Sequence, residues 1–214
     1  MQEQKQIAEL VKAAIAKIML EKKQPFLIPV GISNRHIHLS DPDLATLFGT
    51  GYELTKLKDL KQPGEFAAQE TVTLVGPKGV IQNVRILGPT RKQTQVEVSR
   101  TDAFTLGINA PVRESGKVEG SAGVTLVGPQ GSVTLKEGAI CALRHIHMTT
   151  ADAKKLNLED RSMVKVKVPG ARGLVFSQVL LRVADNFVLE LHLDTDEANA
   201  AWVKNNDQLE LILD

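Results

Sequence analysis

Ser33-Asn34-Arg35-His36-Ile37-His38-Leu39-Ser40-Asp41-Pro42-Asp43 is the stretch around which the rest of the chain can be organised. On a β-strand, residues i and i+2 point to one side, so His36 and His38 can reach a single ion while Ile37 turns the other way. Ser40 followed by Asp43 has the form of a helix-capping box. The same pattern returns as Arg144-His145-Ile146-His147-Met148-Thr149-Thr150-Ala151-Asp152. Each copy reads as a strand that presents two imidazoles and then runs into a capped helix. One His-x-His is ordinarily the polar face of a strand. Two copies in one register, each with Arg before and a cap after, point to metal. Imidazole pairs suit zinc and other divalent first-row ions, but two ligands leave a zinc site incomplete.

The missing ligands are sought on other alternating strands. His192 stands in Leu189-Glu190-Leu191-His192-Leu193, and Glu97 in Gln95-Val96-Glu97-Val98. Spacing alone does not say which pair takes the fifth histidine and which takes an acid. Arg85, Arg91, Arg100 and Arg113 lie near the first site in sequence, and Arg91 follows the turn Gly88-Pro89-Thr90. Arginine suits bidentate phosphate binding. Cys141 sits among Ala139, Ile140 and Ala142 and reads as a buried structural thiol. With no Gly-x-Ser-x-Gly elbow and no P-loop, the chemistry rests on metal.

Outward from these motifs the chain is rich in short strands, expected at 26–32, 71–75, 83–87, 95–99, 123–127, 132–135, 163–168, 174–183, 187–193 and 208–213. Short helices are expected at 41–48, 101–106, 150–156 and 196–203. A second repeat, Thr73-Leu-Val-Gly-Pro-Lys-Gly79 against Thr125-Leu-Val-Gly-Pro-Gln-Gly131, marks two hairpin turns. The His pair precedes this repeat in one half and follows it in the other. A mainly β fold of two related barrels capped by short helices, with a strand exchanged or permuted, accounts for that order.

Composition sets outer bounds. The chain has 214 residues, 43% hydrophobic and 24% charged, with net charge +1, which is ordinary for a globular protein that folds without disulfides. No basic, aromatic-interleaved face favours nucleic acid. One cysteine agrees with the cytoplasm, and there is no apolar run of membrane length and no secretory signal. Ile7, Leu10, Val11, Ala14, Ile15 and Ile18 form the apolar stripe of an amphipathic helix over 1–24, ended by Pro25. That helix either folds back on its own domain or docks on another protein.

These motifs, together with Pro111-Val112-Arg113-Glu114-Ser115-Gly116 and the tail from His192 to Ala200, resemble the PduL-type phosphotransacylases, the phosphate propanoyltransferases of bacterial microcompartments. The resemblance runs from about residue 25 to the C-terminus. It implies a barrel from residues 25–34 plus 143–214, a second from 35–142, and two zinc ions between them. One zinc would be held by His36, His38 and Glu97, the other by His145, His147 and His192. Arg91 would bind phosphate, and Ser33, Lys58, Arg85, Leu87 and Asn199 would line a coenzyme A pocket. The implied reaction transfers a propanoyl or acetyl group reversibly between coenzyme A and phosphate. Residues 1–22 would direct the enzyme to shell or lumen proteins of a microcompartment in the cytoplasm. Acyl-chain preference and any homo-oligomer stay open. The rival that zinc ligands alone would allow is a dinuclear hydrolase.

Overall fold

The computed structural model of the protein describes residues 9–12 and 25–213. The amphipathic helix expected over 1–24 therefore lies outside the described residues, apart from the helical turn 9–12, where Leu10 and Val11 are exposed.

The first half of the chain runs β1 (Leu27–Ser33), β2 (His36–His38), α1 (Asp41–Phe48), β3 (Lys56–Asp59), β4 (Phe66–Val75), β5 (Val80–Gly88), β6 (Gln95–Glu97), α2 (Arg100–Leu106), β7 (Val112–Arg113) and β8 (Ala122–Val127). The second runs β9 (Ser132–Ala142), β10 (His145–Met148), α3 (Thr150–Leu156), β11 (Met163–Val168), β12 (Leu174–Val183), β13 (Glu190–Asp194), α4 (Thr195–Ala201) and β14 (Gln208–Ile212). Omitting β3 and β7, the two halves carry the same series of strands and helices.

Two closed six-stranded barrels result. One is ordered β1-β13-β10-β12-β11-β14 and closes through antiparallel β14 against β1. The other runs β4-β5-β2-β6-β9-β8 and closes through antiparallel β8 against β4, with β3 and β7 added at its sides. Each half thus contributes its first strand to the other half's barrel. β1 lies parallel to β13, and β9 lies parallel to β6. The chain crosses between barrels at residues 34–35 and again at 143–144, immediately before each His-Ile-His.

Each barrel has its own core. Ile146, Met148, Val166, Leu181, Leu191 and Leu211 fill the first. Ile37, Leu39, Leu74, Ile86, Val96 and Leu126 fill the second. Ile37 and Ile146 are fully buried, so the strand alternation that sends each isoleucine inward turns its flanking histidines out of the barrel. Burying such a side chain contributes roughly 1.5–3 kcal/mol, and this fixes the strand register, because a one-residue slip would invert both faces.

The Thr-Leu-Val-Gly-Pro-x-Gly repeat has a local cause. Both copies lie in the second barrel, where Thr73, Leu74 and Val75 pair antiparallel with Val127, Leu126 and Thr125. Each turn clips a helix C-terminus: Lys78 N–H donates to Leu106 O and Gln130 N–H to Leu47 O, both at 3.0 Å. Gly76 and Gly128 let the backbones approach, since a Cβ at Gly128 would stand 2.5 Å from Leu47 O.

Element limits depart modestly from expectation. β4 and β9 extend well beyond 71–75 and 132–135, and β3 is an additional strand. β6 stops at Glu97 because Ser99 is the N-cap of α2. Ser40 caps α1 by accepting from Asp43 N–H, but the reciprocal half of the expected box is absent, since Ser40 N–H donates to Thr94 Oγ1 instead. Complete boxes stand at Ser99/Asp102 and Asp194/Glu197. Among the described residues no helix is long and apolar enough to cross a membrane.

Candidate metal and acyl-transfer site

Two three-donor sets form where the barrels meet. Ligand atoms of His36, His38 and Glu97 lie within 4.8 Å of one another, as do those of His145, His147 and His192. The strand ladders create both sets in the same way. His36 pairs opposite Glu97 on β6, and His145 opposite His192 on β13. Of the alternatives left open by spacing, the geometry groups the acid with the first pair and the fifth histidine with the second.

Backbone and side-chain partners aim the rings. His36 Nδ1 lies 2.8 Å from Asn34 O and His145 Nδ1 lies 2.9 Å from Leu143 O. A proton on Nδ1 donated to that carbonyl leaves Nε2 bare for an ion. His36 Nε2 stands 3.5 Å from a Glu97 oxygen, and the Nε2 atoms of His145 and His147 stand 3.0 Å apart. The buried Nδ1 atoms of His38 and His147 have no hydrogen-bond partner.

Burial, reinforced by His36 and Arg91, pushes His38 down to about 3. Burial and then His192 take His145 down to about 4, and burial with His192, His145 and Arg182 takes His147 down to about 2. All three imidazoles are neutral near pH 7, the form a metal requires. For Glu97, burial is the largest influence and opposes ionisation, yet His36, His38 and Ser115 together hold the carboxyl below its usual range.

The arginine before each His pair is also placed symmetrically. Arg35 reaches Asp102 at 2.7 Å, and Arg144 reaches Glu197 at 3.3 Å. Both acids are the N3 residues of the complete capping boxes, so each box anchors the point where the chain changes barrel.

A cavity of about 530 Å³ spans the junction and is lined by all six donors. Ser33, Lys58, Arg85, Leu87 and Arg91 also line it, whereas Asn199 is exposed on α4 and is not part of the lining. Arg91 is tied to the end of the His38 strand by its N–H to Leu39 O at 2.8 Å. Its guanidinium contacts Ser115 Oγ at 3.3 Å and Glu65 at 3.2 Å.

Several cavity residues carried no sequence signal. Arg182 faces His147 across the β10–β12 ladder and stacks on Phe187, with its guanidinium carbon 5.7 Å from the ring centre. The Gln62 amide clips the loop after β3 to the loop before β13, donating to Val188 O at 2.9 Å and accepting from Val188 N–H at 3.1 Å. Glu190, in the cavity wall, and Gln95, behind it, lie beside the third donor of each set, His192 and Glu97. Only alternation hinted at them, and alternation also describes a solvated strand face. Cys141 is buried on β9, a separate strand from that of His145, and burial pushes its thiol up to about 11.

Relatives of the chain define the class of enzyme to which this fold belongs, one that transfers acyl groups. A protein of Thermotoga maritima named phosphate propanoyltransferase is 56% identical over 194 residues, covering 90% of this chain and 92% of that protein. Proteins of the same name from Rhodobacter capsulatus and Salmonella typhimurium are 52% and 50% identical over 200 and 198 residues, covering 94% and 92% of this chain and 92% and 93% of their own lengths. The sequence profile described as phosphate propanoyltransferase matches residues 29–204. The chain belongs to the phosphate propanoyltransferase family.

Proposed function

We propose that this protein reversibly transfers a propanoyl or acetyl group between coenzyme A and phosphate, at a site between the barrels that holds two zinc ions. The transfer between coenzyme A and phosphate follows from the family. The metal content is supported chiefly by the convergence of two complete donor sets and Arg91 on one cavity.

The residues fit zinc. Imidazole nitrogen and carboxylate oxygen are its customary donors. The 3.0 Å separation of the His145 and His147 Nε2 atoms is close to the edge of about 3.3 Å that tetrahedral ligands at zinc–nitrogen distances would span. The unpartnered Nδ1 atom of His38 is a group that a bound ion or solvent would account for, and that of His147, whose Nε2 would face the ion, one that solvent would account for. Zinc held there supplies Lewis acidity and an affinity for sulfur.

The chain's own groups do the remainder. Arg91 can exchange Ser115 and Glu65 for two phosphate oxygens and hold phosphate for attack, with Arg182 adding positive charge nearby. A phosphate oxygen attacks the thioester carbonyl, the new carbon–oxygen bond forms, and the carbon–sulfur bond breaks with its electron pair leaving on sulfur. Acyl phosphate and the coenzyme A thiolate result, and no acyl-enzyme is needed. The buried, protonated Cys141 suits that route. Lys58 and Arg85 offer charge to the phosphates of coenzyme A, while Ser33 and Leu87 line its path. Asn199 would contact only a part of coenzyme A that reaches outside the cavity. Residues 1–22 would dock on shell or lumen proteins of a bacterial microcompartment, an assignment supported by their apolar stripe.

The test joins metal analysis to a transfer assay on the purified protein. About two zinc ions per chain and phosphate-dependent release of coenzyme A are expected. Thioester hydrolysis without acyl phosphate would sink the transferase assignment, and full activity without any divalent metal would sink the metal centre.

A further inference from the structure

The third ligand of each set, Glu97 or His192, has a buried polar neighbour two residues upstream on the same strand face. Gln95 Nε2 donates to Glu97 Oε1 at 2.6 Å, and Glu190 Oε2 lies 2.9 Å from His192 Nε2. The positions are equivalent in the two barrels. Gln95 lies opposite His38 in the β2–β6 ladder, and Glu190 lies opposite His147 in the β10–β13 ladder. The polarity is matched to the ligand: an amide donor serves the carboxylate, and a carboxylate acceptor serves the imidazole.

Both neighbours are themselves fixed. Gln95 donates to Ser115 Oγ at 2.9 Å and accepts from Gly116 N–H at 2.6 Å. Glu190 receives Lys61 at 3.1 Å. Its carboxyl also lies over Gly31, where a Cβ would stand 2.5 Å from Glu190 Cδ. Groups buried to this degree, at 2% and 8% exposure, persist only with such partners.

We propose that Gln95 and Glu190 are matched positioning residues, each orienting the third metal ligand of its own barrel. The inference rests on the zinc assignment above. Glu190 accepts the His192 Nε2 proton, which leaves the lone pair of that ring on Nδ1, in contrast to His36 and His145, whose backbone contacts leave Nε2 bare. Partners of ligands typically govern metal affinity by about 10–100-fold. The exchange of acid and amide should therefore have opposite outcomes at the two positions. E190Q keeps an oxygen that accepts from His192, whereas Q95E removes the donor and sets two carboxylates against each other.

The test is zinc affinity read by chelator competition, with cobalt(II) spectra as a second readout and circular dichroism to verify the fold. E190A should weaken one of two binding steps by roughly 10–100-fold and leave the other. Q95A should weaken the opposite step, and the double variant both. E190Q should recover most of the loss, Q95E should not, and G31A, which displaces the Glu190 carboxyl without altering it, should resemble E190A. Wild-type protein that binds two zinc ions, with E190A or Q95A unchanged or both weakening the same step, overturns the positioning role alone. Wild-type protein that binds no zinc removes the metal centre itself and this inference with it.

Discussion

Replacing Arg91 by Ala tests the phosphate-binding role proposed for it. The Arg91 backbone is held beside Leu39, so the substitution removes the guanidinium fork and leaves the strand end in place. The fork now spends one nitrogen on Ser115 and one on Glu65, which are the two bonds phosphate would take. Hydrogen bonds to charged groups contribute about 1.5–3 kcal/mol each. A net loss of about 3 kcal/mol, allowing for the bonds surrendered to Ser115 and Glu65, corresponds to a fall of roughly 150-fold in kcat/KM for phosphate. Arg91→Lys keeps the charge without the fork and should fall about tenfold. The assay is initial-rate release of coenzyme A with phosphate varied at saturating acyl-CoA, then the reverse with acyl phosphate varied. The KM for acyl-CoA should change far less. An equal loss toward both substrates in a folded variant, or wild-type kinetics for phosphate, would refute the assignment.

Other expectations follow from particular contacts. Gly128→Ala should destabilise by about 1–3 kcal/mol, because the new methyl meets the Leu47 carbonyl at 2.5 Å; thermal unfolding measures it, and an unchanged midpoint would mean the turn does not clip α1. Metal-free protein should lose stability as pH falls below about 6.5, since His38, His145 and His147 resist protonation when folded down to about 3, 4 and 2 and the unfolded chain takes up those protons first. Urea midpoints between pH 7 and 4 would show the slope, and His147→Ala should flatten it. Removal of residues 1–22 should preserve activity in solution and abolish localisation to a compartment, whereas unfolding of the truncated protein would make that segment part of the core.

The candidate ligand motifs were legible because each is local. A period of two placed His36 with His38 and His145 with His147, and alternation put Glu97 and His192 on polar strand faces. The pairing of acid with one set and histidine with the other was not legible, because it depends on ladders joining residues about 60 and 47 positions apart. Arg182 and Gln62 were missed for a related reason. Each acts through a partner on a different strand or loop, and neither stands in a distinctive local pattern. The Thr-Leu-Val-Gly-Pro-x-Gly repeat misleads if taken as a mark of domain duplication, since its two copies serve one barrel. The sequence similarity that tracks duplication is the Arg-His-Ile-His unit with its following helix.

The trading of β1 for β9 also bears on how the enzyme came to be. Each half of the polypeptide holds a full complement of staves for one barrel, so an ancestral half could have closed upon itself. Swapping the first stave ties the two halves together through strand pairing in both barrels. The histidine pairs follow the crossovers between barrels directly, so the interlock of the halves also brings both candidate donor sets to one cavity.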